Sequence, residues 1–331
     1  MVWVTFLLSA AVIVAAASQL ARYGDVIAVR TRLGGMFIGT LLLAGATSLP
    51  EFLTAINSIR EGVPNLTAGD FFGSCMFNML LLAVLDLVGR QKRILRQVAL
   101  THALTASLAT LLMGLVVFFM MADISWRIGW VGVDSIVVII TYIAGVRLIQ
   151  LQGSQSGASL ELPVEEVPKG TPTLRRAIIF FAAAAGVLVL AVPQLVKSSH
   201  EIAETTGLGA GIVGVVLVAF VTSLPEAVAA IAAVRIGAFD LAVGNLFGSN
   251  VFNMFALGMV DLFYVQGRFL QVIDPGFAIA GMLGLLMICL GLIGNLARLE
   301  RRLFFIEVDA LFLIIVYLVG IYVLYSRGVG M

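Results

Sequence analysis

Ten apolar stretches of membrane-spanning length leave this 331-residue chain few ways to fold. They lie near residues 2–20, 33–59, 66–88, 98–121 and 128–149, then near 175–196, 208–234, 241–264, 275–297 and 303–325. A helix of about 20 residues, rising ~1.5 Å at each, crosses the roughly 30 Å of bilayer hydrocarbon. Lipid offers no partner to backbone N–H and C=O groups, so each run must pair them within its own helix. Composition agrees: 61% of residues are hydrophobic and 12% charged, about half the charge of a soluble domain. The expectation is an all-α polytopic membrane protein of ten transmembrane helices, with the lipid bilayer as its surroundings. Cys75 and Cys289 lie within apolar runs and have neither metal-ligand nor disulfide spacing. The first run lacks the basic flank of a signal peptide, so it reads as a retained span. A net charge of +1 carries no information about partners, and no nucleic-acid partner is expected.

The ten runs divide into two sets of five. Between them, residues 150–173 are rich in Gly, Ser, Pro and Glu and carry no apolar period, as a soluble linker does. The expected units are therefore residues 1–149, a linker over 150–173, and residues 174–331. The loops after spans 1, 3, 5, 7 and 9 hold fifteen of the twenty Lys and Arg; Arg60, Arg127, Lys197, Arg268 and Arg327 lie on the other side. The positive-inside rule then predicts a multi-pass cell-membrane protein with a cytoplasmic linker and both termini outside. Because five is odd, the second half enters the membrane from the side opposite the first. The halves should form an inverted repeat.

The repeat is legible in the letters. At a constant offset of 175, residues 47–87 match residues 222–262 at 20 of 41 positions without a gap. Thr47-Ser48-Leu49-Pro50-Glu51 returns as Thr222-Ser223-Leu224-Pro225-Glu226, and Phe77-Asn78-Met79 returns as Phe252-Asn253-Met254. Internal similarity of this kind is the signature of transporters built from inverted repeats, with the site where the two halves meet.

Each copy of the pentapeptide puts a carboxylate and a proline inside a span. A charge at the bilayer centre costs about 2.5–3.5 kcal/mol even on a lenient scale, so it marks a functional site by default. Proline lacks an N–H and clashes with the preceding turn, so spans 2 and 7 should be broken, freeing carbonyls near Ala46 and Val221. Ser48 and Glu51 fit a capping box for the helix that restarts, and Thr47 shares a face with Glu51. Hydroxyls, freed carbonyls and a carboxylate form an oxygen cluster suited to hard cations such as Ca²⁺ or Na⁺. A kinked helix with a capped end would account for one copy alone. Two copies at matching places favour an ion site.

Span 3 adds Ser74 and Asn78, four residues apart on one face, and span 8 adds Ser249 and Asn253. Alone they would pass for interhelical hydrogen-bond glue; following a broken helix in both halves, they read as further ligands. Gly69 and Gly73 form a stripe that allows close backbone approach. Other polar residues carry less. His200-Glu201-Ile202-Ala203-Glu204 ends in Glu where a zinc-protease helix needs His, and it reads as an interfacial turn. Asp86, Asp134 and Asp261 fall near span ends, where water or a nearby Arg would explain them. Asp70 suits the positive end of a helix dipole, with a place facing the ion entry route as the alternative. No catalytic motif is present, so the chain does not read as an enzyme, and no cofactor is expected.

Ala-Thr-Ser-Leu-Pro-Glu at 46–51, Thr-Ser-Leu-Pro-Glu at 222–226 and Gly-Asn-Leu-Phe-Gly-Ser-Asn-Val-Phe-Asn at 244–253 resemble the α-repeats of the sodium/calcium exchanger family. The resemblance covers both repeats and nearly the whole chain. It implies an antiporter that exchanges Ca²⁺ for Na⁺ by alternating access, with both ions as substrates. It further implies that Glu51 and Glu226 bind Ca²⁺. Thr47, Ser48, Ser74, Asn78, Thr222, Ser223, Ser249 and Asn253 would add oxygen ligands, and Ala44 and Ala219 main-chain carbonyls. This chain departs from the family pattern in two respects. The first repeat reads Gly69-Asp70 and Gly73-Ser74-Cys75 where the usual pattern has Gly-Asn and Gly-Ser-Asn, and Asn78 and Asn253 are both neutral. The expected core then holds two carboxylates, which would balance one Ca²⁺, two Na⁺ or two H⁺. An H⁺-coupled cation antiporter is the alternative on the same scaffold, and an uncoupled channel a more distant one.

Overall fold

The computed structural model describes residues 1–31, 43–88, 102–155, 171–297, 302–303 and 306–331. Apart from two short hairpins, its regular elements are helices. Eight helices among the described residues are long and apolar enough to cross a membrane, and a bent pair makes a ninth candidate. Part of the expected second span, residues 33–59, lies outside the described residues. Its described portion is helical over residues 43–47 and again in α2 (Leu49–Arg60).

The letter repeat is matched by element boundaries. Helix α1 (Val2–Thr31) has its counterpart in α6 (Leu174–Thr206), and both end at positions 175 apart. Helix α2 corresponds in the same way to α9 (Leu224–Arg235), and α3 (Pro64–Val88) to α10 (Phe239–Val260). Helices α4 (Ala103–Ala122) and α5 (Val133–Gln155) parallel α12 (Phe277–Ala297) and α13 (Val308–Ser326). Even the hairpins correspond: β1 (Arg127–Ile128) pairs with β2 (Val131–Gly132), and β3 (Arg302–Leu303) with β4 (Ile306–Glu307). Three short helical pieces complete the second half: α7 (Gly209–Val213), α8 (Ala219–Thr222) and α11 (Phe269–Val272).

Three helices run past their expected ends. Helix α1 continues past residue 20 through Arg22 and Arg30. The Arg30 guanidinium donates to the Thr171 and Pro172 carbonyls, at 2.7 and 3.1 Å, and ties the end of α1 to the approach to α6. Helix α6 has 33 residues, so His200–Glu204 is helical and not the interfacial turn expected. The reason is a continued buried stripe: Leu195, Val196, Ser199, Ile202 and Ala203 recur at helical spacing. The helix ends at Gly207, whose φ of 71° suits a glycine C-cap. Side chains from Phe6 to Leu20 on α1 pack against Ala184, Leu188, Val192 and Leu195 of α6. Helix α5 also runs on to Gln155, so the first residues of the expected linker are helical; residues 156–170 lie outside the described residues.

Burial separates inner helices from outer ones. In α3 and α10, 83% of the spanning residues are buried, against 22% in α5 and α13. Leu318, Val319 and Tyr322 of α13 and Ile178, Val189 and Leu190 of α6 are exposed, as lipid-facing residues must be. The two helices that carry Ser, Asn and Asp are thus enclosed by the rest.

At one end of the bundle a polar cluster fastens loops together. Arg268, with its side chain 3% exposed, pairs with buried Asp134 at 3.0 Å and with Asp123 at 3.4 Å. Asp261 does not meet water or an arginine, as expected from its place at a span end. It is buried and accepts the backbone N–H groups of Gly132 and Phe269, both at 2.6 Å. Loop amides with no partner in the bundle recruit the carboxylate.

Candidate cation-binding site

Both proline copies stand at a helix restart. Pro50 and Pro225 occupy the first turns of α2 and α9, after Ser48 and Ser223. A proline there gives up no intrahelical hydrogen bond, because the first-turn N–H groups have no partner anyway. In the second half the pair 209–222 and 224–235 is bent by 41°, and a π-helical turn, Gly214–Val218, precedes the bend. Such a turn loosens the regular ladder and is common at functional sites.

The expected capping box does not form. Neither Ser48 nor Ser223 caps its helix with its side chain. Each hydroxyl instead reaches the other half of the chain. Ser48 Oγ donates to Glu226 Oε1 at 2.8 Å, and Ser223 Oγ donates to Glu51 Oε1 at 3.4 Å. Ser249 Oγ also donates to Glu226 Oε1, at 3.3 Å. The two pentapeptides therefore interlock, each supplying a hydroxyl to the carboxylate of the other.

Thr47, Ser48, Glu51, Ser74, Asn78, Thr222, Ser223, Glu226, Ser249 and Asn253 are all buried at 0% exposure. Ala44 and Ala219 are equally enclosed, and their carbonyls face the turns of interest. Ala44 O accepts from Ser48 N at 2.9 Å and from Thr47 Oγ1 at 3.0 Å. Ala219 O accepts from Ser223 N at 3.1 Å and lies 3.4 Å from the Thr222 hydroxyl.

Several buried oxygens have no hydrogen-bond partner: Glu51 Oε2, Glu226 Oε2, Asp70 Oδ2, Asn78 Oδ1 and Asn253 Oδ1. A buried unpaired carboxylate is costly, and acceptor oxygens enclosed without donors suit a cation. No three His, Cys, Asp or Glu side chains among the described residues converge as ligands of one metal ion. A cation here would therefore draw most of its ligands from hydroxyls, amides and carbonyls.

Sequence reasoning missed two participants. Asp70, set aside as a dipole partner, is 1% exposed and accepts from Thr222 Oγ1 at 2.8 Å and Ser74 Oγ at 3.4 Å. The site thus holds three carboxylates, not the two expected. The signal was there: Asp70, Ser74 and Asn78 follow one another at four-residue steps along one face of α3. Asn250 is the second. It accepts from Asn78 Nδ2 at 3.0 Å and donates to the Cys75 carbonyl at 3.4 Å, joining α10 to α3. Cys75 is its counterpart in the repeat, and that departure from the pattern concealed the pairing.

An enclosed set of oxygens where the two repeated segments interlock, within helices long and apolar enough to span a bilayer, marks a polytopic membrane transporter. The sodium/calcium exchanger protein family matches residues 1–149 and 176–326, and the chain belongs to it. That family consists of transporters, not enzymes. The putative antiporter CaxA of Alkalimonas amylolytica is 27% identical over 277 residues, covering 80% of this chain and 82% of that protein. Among solved structures, the Ca²⁺/H⁺ antiporter protein YfkE superimposes with a TM-score of 0.65 at 19% identity, covering 98% of this chain and 93% of that one. The sodium-calcium exchanger NCX_Mj gives a TM-score of 0.58 at 19% identity, covering 97% and 99%. At such identities the two structures speak for the fold.

Proposed function

We propose that the protein is a secondary active antiporter that exchanges Ca²⁺ for Na⁺ by alternating access at a midplane site. The observation that carries this reading is the crossed pairing of Ser48 with Glu226 and Ser223 with Glu51, beside carboxylate oxygens that have no partner. Two glutamates supply charge for one Ca²⁺, while Thr47, Thr222, Ser74, Ser249, Asn78, Asn253 and the Ala44 and Ala219 carbonyls supply neutral oxygens. Each half contributes to the same cluster, so rocking one half against the other would open it to alternate sides. The reading includes ten spans arranged as two inverted five-helix repeats, residues 1–149 and 174–331, with residues 150–173 as a cytoplasmic linker and both termini outside.

Coupling to H⁺ is the second reading, and its support is the fold likeness to a protein named as a Ca²⁺/H⁺ antiporter. Reconstitution in proteoliposomes separates the two. An outward Na⁺ gradient should drive ⁴⁵Ca²⁺ uptake at equal pH on both sides; uptake driven by a pH gradient without Na⁺ would favour the second reading. Glu51→Gln and Glu226→Gln should each abolish uptake. Undiminished flux in both variants would remove the site from the mechanism.

A further inference from the structure

Asp274 makes the turn that leads into α12, and it does more than that turn requires. Its Oδ1 accepts the Gly276 N–H at 2.7 Å, an ordinary contact two residues along the chain. Its Oδ2 accepts the Gly330 N–H, also at 2.7 Å, from the segment that follows α13. The Asp274 N–H donates to Asn65 Oδ1 at 2.9 Å, at the start of α3. One half-buried residue thus gathers the beginnings of α3 and α12 and the segment Gly328–Met331.

That segment is bent back onto the bundle. Gly328 and Gly330 have φ of 64° and 71°, which glycine adopts without strain. The two reversals tuck Val329 in at 2% exposure, against Gly276. The Gly330 carbonyl then accepts the Gly211 N–H at 3.0 Å. Gly211 belongs to α7, the first piece of the broken second-half span, and early N–H groups of a helix have no partner within it. The approach requires glycine on both sides. A Cβ on Gly211 would lie 2.7 Å from Gly330 Cα, and one on Gly330 would lie 2.6 Å from Gly211 Cα.

Helix α7 carries part of the cation site behind it. It runs through the π-helical turn directly into α8, which holds Ala219 and Thr222. The same stretch lies on α3, where a Cβ on Gly214 would meet the Leu66 carbonyl oxygen at 2.7 Å. Asp274 therefore holds both partners of this contact, α3 through Asn65 and α7 through Gly330. The fastening belongs to one half only. At the offset of 175 the counterpart of Asp274 is Ala99, which has no side-chain acceptor to offer.

We propose that Asp274 is a positioning residue: with Gly328–Met331 it straps α7 to α3 and holds the cation site closed toward that end of the bundle. Each opening of the site toward that end then requires the strap to release. The inference rests on the alternating-access reading above and holds for either coupled ion.

Two measurements test it. The first is amide hydrogen exchange, read by mass spectrometry on ion-free full-length protein in detergent. In Asp274→Asn a single amide oxygen can serve Gly276 or Gly330, not both. Exchange over residues 209–222 should quicken about tenfold, while residues 184–199 of α6 stay unchanged. The second offers ⁴⁵Ca²⁺ to one face at a time, in vesicles of either orientation. Losing the strap favours the state open at its own end. The KM should therefore fall about threefold on the face nearer Gly330 and rise on the opposite face, a split that a merely structural role would not produce. Unchanged exchange over 209–222, faster exchange in both segments alike, or KM values that stay put or move together on the two faces would each overturn the strap. Should Asp274→Asn fail to fold, Val329→Ala trims buried methyl groups from the strap itself. It should move both readouts in the same directions, and unmoved exchange overturns the proposal. A wild type that carries no ⁴⁵Ca²⁺ flux on either face sinks the antiport reading instead, and hydrogen exchange alone then decides the strap.

Discussion

Gly73→Ala tests whether the site depends on the backbone contact between α3 and the π-helical turn. A Cβ built on Gly73 would lie 2.6 Å from the Val215 carbonyl oxygen, 2.7 Å from Val215 Cα and 2.8 Å from Ala219 Cβ. Two of these are backbone atoms and none can swing aside. Restoring ordinary contact requires the two segments to separate by roughly 0.8 Å, which a close-packed interior resists. Overpacking of this kind costs about 1–3 kcal/mol, equivalent to a Tm lower by roughly 2–10 °C. The same separation would stretch the 2.8 Å Thr222–Asp70 hydrogen bond to roughly 3.6 Å, beyond hydrogen-bonding distance. Thermal unfolding in detergent and ⁴⁵Ca²⁺ uptake in proteoliposomes should therefore both fall. Gly186→Ala on α6 is the control, since a Cβ there meets nothing within 4 Å; it should leave uptake unchanged and add up to ~1 kcal/mol of helix propensity. If Gly73→Ala matches the wild type in both measurements, the close approach is not what positions the site.

Ser48→Ala removes the 2.8 Å donor to Glu226. Hydrogen bonds to charged groups contribute about 1.5–3 kcal/mol, so the KM for Ca²⁺ should rise about 10- to 100-fold, and a KM within twofold of wild type would refute the crossed pairing. Arg268→Met should cost about 3–5 kcal/mol by stranding Asp134, with most of it recovered in Arg268→Met/Asp134→Leu; equal Tm values for the single and double variants would contradict the buried ion pair. Burial holds the Asp261 carboxyl above the usual carboxylate range, outweighing the Phe269 and Gly132 amides that stabilise its charge. Ionisation is then harder in the folded state than in the unfolded one, so this group's contribution to stability falls as pH rises from the unfolded carboxylate value through the raised folded one. Asp261→Asn should remove that slope from Tm measured against pH, and an identical slope would show that another group causes it.

Much of this protein was determined by its sequence alone. Apolar runs of spanning length specify membrane helices because lipid leaves the backbone no other partner. The offset of 175 assigns corresponding elements, and Pro50 and Pro225 stand at the restarts, where a proline gives up no backbone hydrogen bond. Glu51 and Glu226 stood out as charges in apolar runs. Tertiary structure decided what those residues touch. Ser48 sits three residues before Glu51, and local spacing argues for a cap; the hydroxyl goes instead to Glu226, 178 residues away. A polar group enclosed in the bundle bonds whatever acceptor packing brings near, and sequence spacing describes only neighbours on the same helix. Asp70 shows the same limit. Near the start of a helix it looked like a dipole partner, until the packing of α3 on the broken second-half span placed it against Thr222 and made it the third carboxylate of the site.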